Sequence, residues 1–281
     1  WGVAFVAQSV GMDYMGPCTF NASRFLIGGI VLLPVIWTKE RMEEKKGATG
    51  APAKKKKFGA LLPGGVCCGI ALCAASLLQQ FGIRYTSVGK AGFLTTLYIV
   101  IVPLFGLIVH KTVTKLQWLS VFIAAVGMYF ICITENFSVN YGDMIILACA
   151  CFFALHIITI ERFSVLVDGV RMSLLQFAVC GILSLPAIFF YETPSSDELD
   201  QAWLPILYAG IMSCGIAYTL QILGQKYVNV ILASIILSME SVFSVFAGWL
   251  LLGEQLSLRE IGGCVLVFAA ILLAQMPPKQ Q

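Results

Sequence analysis

Glu240 lies inside "LSMESVFSVFAGWLLLGE", residues 237–254, an apolar stretch long enough to cross a bilayer. A centrally placed acidic side chain costs around 3 kcal/mol on insertion scales unless it faces protein or water, so it asks for a function or a partner. Two roles fit. Glu240 binds a cationic group or carries a coupling proton, or it is a hydrogen-bonded clamp between helices; its residue type leaves both open. In a helix over 229–252 it shares its face with Ala233, Leu237, Ser244, Ala247 and Gly248. Small and polar neighbours of this kind mark a close-packed or cavity-lining surface, so Glu240 is expected to point into the protein.

Arg24, within "FNASRFLIGG" (20–29), and Lys90 are the cations nearest the interior. Either can hold a substrate carboxylate or phosphate, or pair with Glu240. Snorkelling to the outer interface is the favoured reading for Lys90, whereas for Arg24 the two readings stand level. Gln79 and Gln221, with Gln8 and Asn21, offer hydrogen bonds to a polar or zwitterionic substrate, and interhelical clamping explains them equally well. His156, beside Phe152 and Phe153, reads as a satisfied core histidine before it reads as a proton relay. Only two histidines occur and no CxxC or HxxxH spacing is present, so neither a metal site nor a cofactor is expected. Most of the ten cysteines fall in apolar segments, where they behave as small hydrophobic side chains.

The elements that must position these residues are membrane helices. The chain is 59% hydrophobic and 12% charged, with a mean hydropathy of +0.88, far from the mix of a soluble domain. Spans are expected at 1–16, 18–37, 59–83, 88–110, 116–135, 142–162, 171–191, 202–224, 229–252 and 260–276. The fold class is therefore an all-α integral membrane protein of ten transmembrane helices. The first span is short and begins at Trp1, which suggests that roughly one or two helical turns precede it. With the N-terminus inside, fourteen Lys and Arg fall in cytoplasmic segments against three (Arg84, Lys90, Arg259) outside, which places both termini in the cytoplasm. The basic loop "KERMEEKKGATGAPAKKKKF" (39–58) is expected to be a solvated, topology-setting linker rather than a lipid-headgroup site, and nucleic acid is not an expected partner.

The chain also repeats itself. A shift of 142 residues aligns 60–130 with 202–272 without a gap, matching Pro63 with Pro205, Gln79 with Gln221, Gly82 with Gly224, Tyr85 with Tyr227 and Gly106 with Gly248. Earlier helices match at a shift of 152, which pairs Phe25 with Phe177, Gly29 with Gly181 and Pro34 with Pro186. Two halves of five helices, 1–137 and 138–281, account for both shifts. An odd number per half inverts the second copy in the membrane, the usual architecture of secondary transporters with a midplane site at the repeat interface. Under the 142 shift the mirror of Glu240 is Tyr98.

The segments 1–25, "GKAGFLTTLYIVIVPLFGLIV" (89–109) and "SMESVFSVFAGWLLLGEQLSLREIGGCVLVFAAILLAQ" (238–275) resemble the EamA repeats of the drug/metabolite transporter superfamily, and the resemblance covers essentially the whole chain. It implies two inverted five-helix EamA repeats and transport of small metabolites, such as amino acids or related compounds, by alternating access across a bacterial-type plasma (inner) membrane. Ser241 follows Glu240 where many relatives carry proline, so no proline bend is inferred there. The implied partners are a small-molecule substrate, the lipid bilayer and a coupling proton, with a homodimer left open. A lipid-modifying membrane enzyme is the alternative from another class, but two separated histidines make no catalytic cluster. A passive channel or scaffold would need a ring of like charges or a repeated filter backbone, and neither is visible. Ser257 with Glu260, and Thr114 with Gln117, read as capping boxes, and Gly65 with Gly69 as a close-approach pair.

Overall fold

The computed structural model describes residues 1–47, 58–86, 88–108, 113–132, 140–252 and 257–276. Every element among them is helical: α1 (Gly2–Tyr14), α2 (Pro17–Gly47), α3 (Phe58–Ile83), α4 (Val88–Thr96), α5 (Tyr98–Ile108), α6 (Lys115–Cys132) and α7 (Tyr141–Ser164). The chain continues through α8 (Gly169–Tyr191), the short α9 (Ser196–Gln201), α10 (Trp203–Tyr208), a π-helical segment (Ala209–Tyr218), α11 (Thr219–Gln225), α12 (Val230–Leu237), α13 (Met239–Leu252) and α14 (Leu258–Gln275). Seven helical stretches among the described residues are long and apolar enough to cross a membrane, and Lys115–Ile131 and Val230–Phe243 are shorter apolar helices. The protein is an integral membrane protein.

Four spans depart from the expected helices. The helix expected over 18–37 runs on to Gly47, because Glu40, Glu43 and Glu44 interleaved with Lys39, Arg41 and Lys45 keep it helical beyond its apolar part. The span expected over 88–110 breaks at Leu97, and the one expected over 229–252 breaks at Ser238. The span expected over 202–224 carries ten π-helical residues in its middle. Apolar periodicity does not report such breaks, since the segments as a whole stay hydrophobic and single Thr or Ser residues are common in unbroken membrane helices.

Helix starts follow side-chain chemistry. Both expected capping boxes form: Glu260 N–H donates to Ser257 Oγ (3.2 Å), and Gln117 N–H donates to Thr114 Oγ1 (3.2 Å) while Thr114 N–H donates to Gln117 Oε1 (3.0 Å). A third box joins Asn140 and Asp143 at the start of α7. Asp168 caps α8, accepting from the N–H groups of Val170 and Arg171, and is also ion-paired with Lys39 of α2. Close by, Arg171 Nη2 donates to Glu40 Oε1 at 2.8 Å. At the other end of the same helix pair, the carboxylate of Glu192 closes over the start of α2, accepting from Cys18 N–H (2.7 Å), Thr19 N–H (2.8 Å) and Thr19 Oγ1 (2.6 Å). Anions are stabilised at such N-termini by the unpaired amides. A Cβ at Gly16 would lie 2.1 Å from Glu192 Cδ, so a larger residue there would push the carboxylate away from these amides.

Small residues set the helix crossings. Cβ atoms at Gly65 and Gly69 would fall 2.5 Å and 2.6 Å from Leu175 and Val179 of α8, so the expected close-approach pair seats α3 on α8. Gly28 of α2 meets Cys214 of the π-helical segment in the same way, at 2.6 Å. Where α6 packs along α14, Gly127 and Gly263 face each other, and a Cβ on Gly263 would approach the Gly127 carbonyl oxygen to 2.5 Å. Its neighbour Gly262 has open space around it. Gly263→Ala is therefore expected to lower the thermal unfolding midpoint of the detergent-solubilised protein through overpacking of about 1–3 kcal/mol. Gly262→Ala should leave it unchanged or raise it, helped by up to about 1 kcal/mol of helix propensity. Equal shifts for the two would refute this reading of the crossing.

Candidate functional site

The two helix breaks face each other. At the first, Thr96 Oγ1 donates back to Phe93 O (3.2 Å), and Pro103 six residues on has no N–H to give to the Ile99 carbonyl. At the second, Ser234 and Ser238 hydroxyls donate to the carbonyls of Ile231 and Ile235 (2.8 and 2.7 Å), the local competition that weakens helical hydrogen bonding. Tyr98 opens α5 and Glu240 lies in the first turn of α13. Tyr98 OH donates to Glu240 Oε1 at 3.2 Å, and Thr96 Oγ1 lies 3.3 Å from Ser241 Oγ. Two side-chain bridges thus join break to break. The carboxyl also faces the positive end of its own helix, not the middle of an unbroken rod as a helix over 229–252 requires. Of the small-residue face expected around it, Ala233 is buried, while the side chains of Ser244, Ala247 and Gly248 lie outside the described residues.

Beside this bridge lies a narrow, part-open cavity with about 40 Å³ accessible to water-sized molecules. Of the eight candidate residues, Arg24, Gln79, Tyr98, His156, Gln221 and Glu240 line it. Asn21 stands just behind, holding Arg24, and the side chain of Lys90 lies outside the described residues. Gln79 donates to Thr95 Oγ1 (3.4 Å) and Gln221 to Gln225 Oε1 (3.4 Å), so the repeat-equivalent amides reach different partners. Gln8, another cavity residue, accepts from Gln80. The expectation of a satisfied core histidine fails in part: His156 is fully buried with Nε2 3.0 Å from Gln176 Oε1, but its Nδ1 has no partner and its ring lines the cavity.

The wall also contains residues that sequence reasoning did not single out. Thr95, Ser213, Tyr218 and Phe153 are residue types common in membrane helices, and nothing in their spacing separates them from packing. Tyr218 reaches the wall from the last turn of the π-helical segment and packs against Trp1, Phe25, His156 and Phe177, with ring centroids 5.0–6.3 Å apart. A π-segment shifts the rotational phase of everything after it, which is why a 3.6-residue reading does not locate this tyrosine.

Arg24 supplies the cavity's fixed positive charge. It is 2% exposed; its Nη2 and Nε donate to Asn21 Oδ1 (2.9 and 3.3 Å), and its guanidinium stacks over Phe25 (4.9 Å) and Phe20 (5.8 Å). Asn21 is in turn fixed by donating to Ser184 Oγ at 3.0 Å. Arg24 and Glu240 do not pair with each other; among the described residues the ion pairs are Lys39–Asp168 and Arg171–Glu40, both away from the cavity. The site therefore presents a cation held by neutral groups and, across a polar space, a carboxyl held by a phenol. Among the described residues no three His, Cys, Asp or Glu side chains gather as metal ligands.

Asn21→Leu strips the acceptor from a buried guanidinium and should cost at least about 2 kcal/mol in unfolding of the purified protein. The double variant Asn21→Leu, Arg24→Met should recover a measurable part of that loss, giving a coupling energy in a double-mutant cycle. Strictly additive effects would show that Asn21 does not hold Arg24.

With this geometry in place, comparison with known proteins is informative. The family model described as "EamA-like transporter family" matches residues 1–133 and again 140–276. An uncharacterized transporter of Archaeoglobus fulgidus is 29% identical over 278 residues, covering 98% of this chain and 82% of that protein. The uncharacterized transporter YoaV of Bacillus subtilis is 22% identical, covering 97% of this chain and 92% of its own length. A solved crystal structure superposes with a TM-score of 0.73 at 17% identity, over 97% of this chain and 93% of that one, a likeness of fold. Two family matches that together span nearly all of the chain leave one conclusion: the protein belongs to the EamA-like transporter family.

Proposed function

We propose that this chain is a secondary active transporter that carries a small zwitterionic metabolite of the amino-acid class, binding it between Arg24 and Glu240. The observation that carries the reading is the pair of opposite, mutually unpaired groups on one cavity wall. A substrate carboxylate suits the planar donor fork of Arg24, and a substrate ammonium suits Glu240, with Tyr98, Gln79 and Gln221 as hydrogen-bonding neighbours. Intramembrane charges left without a protein counterion are expensive, and a ligand that brings both counter-charges offsets that cost only when bound.

The proposed architecture is ten membrane helices in two inverted five-helix repeats, 1–137 and 138–281, in a bacterial-type plasma membrane with both termini cytoplasmic. Counting α4 with α5, α10 to α11 with the π-segment, and α12 with α13 as single crossings gives that number. Repeat mates that touch each other support the inversion, because mates meet only near a symmetry axis. Tyr98 and Glu240, 142 apart, are hydrogen-bonded, and Phe25 and Phe177, 152 apart, stack at 5.9 Å. The clasps at the ends of α2 and α8 follow the same rule: at an offset of 152, Glu40 corresponds to Glu192, and each carboxylate grips the start of the other helix. Alternating access follows as motion of one repeat against the other about the shared cavity. Glu240 serves as the proton-coupling group, taking a proton when no ammonium is bound.

Purified protein in liposomes should support saturable counterflow of radiolabelled amino acids from a mixed pool, and an imposed proton gradient should drive their accumulation. Glu240→Gln, which keeps an acceptor for Tyr98, should stay folded and lose gradient-driven accumulation by tenfold or more, the scale set by losing about 1.4 kcal/mol of coupling. Arg24→Gln should abolish binding of any substrate bearing a carboxylate. Wild-type liposomes that show no amino-acid counterflow, or Glu240→Gln with unaltered proton-driven uptake, would overturn the proposal.

A further inference from the structure

Gln176 has no part in the site described so far, yet it decides which face His156 shows to the cavity. Both side chains are fully buried, on α8 and α7, and the Gln176 carbonyl oxygen Oε1 lies 3.0 Å from His156 Nε2. With Oε1 on that side of the amide, Nε2 of the ring carries the hydrogen, and the Gln176 NH2 group is itself buried without a partner. Nδ1 is then a bare lone pair, and it is buried without a partner. A buried acceptor left unpaired is rare in folded proteins, and its presence on a cavity wall marks a place where a donor arrives from outside. Tyr218 stands edge-on to the ring with centroids 6.0 Å apart and closes one side, so the ring is held in orientation as well as in tautomer.

We propose that Gln176 is a positioning residue that locks His156 in its Nε2–H tautomer, so that Nδ1 serves as a hydrogen-bond acceptor for an ammonium or hydroxyl donor of the transported molecule. This rests on reading the cavity as the substrate site, and it adds a requirement: beyond opposite charges, the substrate must present a donor on the His156 side. A tautomer held the other way round would offer an N–H there and select for an acceptor. Gln176 thus sets specificity without touching the ligand.

The protein has two histidines, so a His110→Gln background labelled with ¹⁵N-histidine reports His156 alone by nitrogen NMR. One neutral tautomer is expected, protonated at Nε2. Gln176→Met, similar in volume but without an acceptor, should turn this into a mixture, and Gln176→Glu, which keeps the acceptor, should restore a protonated Nε2. If Met at 176 prevents folding, the wild-type and Glu spectra still decide the tautomer. Adding ethanolamine, which carries both donor types and no carboxylate, should move the Nδ1 resonance in the wild-type background. Nδ1 found protonated in the neutral ring, unchanged tautomer populations in Gln176→Met, or an Nδ1 resonance indifferent to ethanolamine would each overturn the proposal. The tautomer readout needs no flux, so a chain that fails amino-acid counterflow yet shows the Gln176-dependent tautomer would sink the zwitterion reading alone.

Discussion

The hydrogen bond from Tyr98 to Glu240 ties together two places where a membrane span is broken. In a hydrocarbon setting each unsatisfied backbone group is costly, so irregular backbone survives only where protein or water surrounds it. The breaks at Leu97 and Ser238 therefore have to face inward, and each supplies polar side chains to the other: Tyr98 to Glu240, and Thr96 to Ser241. Bringing two breaks together opens a polar interior, and everything else on the cavity wall depends on that opening. Had either span been an unbroken rod, Glu240 would sit among helical carbonyls with no amide end nearby.

Around this centre the helices are held at close range by absent side chains. Gly28 against Cys214, Gly65 and Gly69 against α8, and Gly127 against Gly263 let backbones approach where lipid supplies no hydrophobic drive for association. The contacts at the ends of α2 and α8 are different in kind, since they are ionic and polar, part-buried or exposed, and individually weak in water. Tight glycine crossings along the spans, with weaker clasps at the ends of α2 and α8, would let that helix pair part at one end while the crossings hold. That distribution of strength suits the alternating access proposed for the chain.

Much of this was legible in the sequence. Hydropathy locates the apolar helices, Ser257, Glu260, Thr114 and Gln117 mark two helix starts, and the 142-residue offset alone pairs Tyr98 with Glu240. Six of the eight candidate residues line one cavity because polar side chains are too costly to leave on a lipid-facing surface, so their presence in an apolar span already says where they point. What escaped has a common cause. The breaks, the π-helical segment and the extension of α2 depend on backbone geometry and on side-chain to backbone hydrogen bonds, which leave hydrophobic periodicity untouched. Tyr218 was missed for that reason, behind a phase shift; Gln176 was missed because a single glutamine in an apolar helix does not show which side chain it meets.

The buried polar groups divide into two sets by how they are satisfied. Asn21, Ser184 and Gln225 find protein partners, and these groups rigidify the wall. Among the described residues His156 Nδ1 and Gln176 Nε2 find none, and the contacts of Arg24 are a neutral amide and two aromatic faces where a buried cation would ordinarily meet a carboxylate. A stable scaffold gains nothing by leaving a lone pair and a charge in this condition, since an apolar residue of similar size would serve as well or better at each position. Their retention around one cavity, with a carboxyl whose hydrogen bond among the described residues is to a phenol, is explained when the missing partners come and go with a ligand. The structure is thus well packed at its crossings and under-satisfied at its centre, which is the arrangement expected of a binding site that must also release.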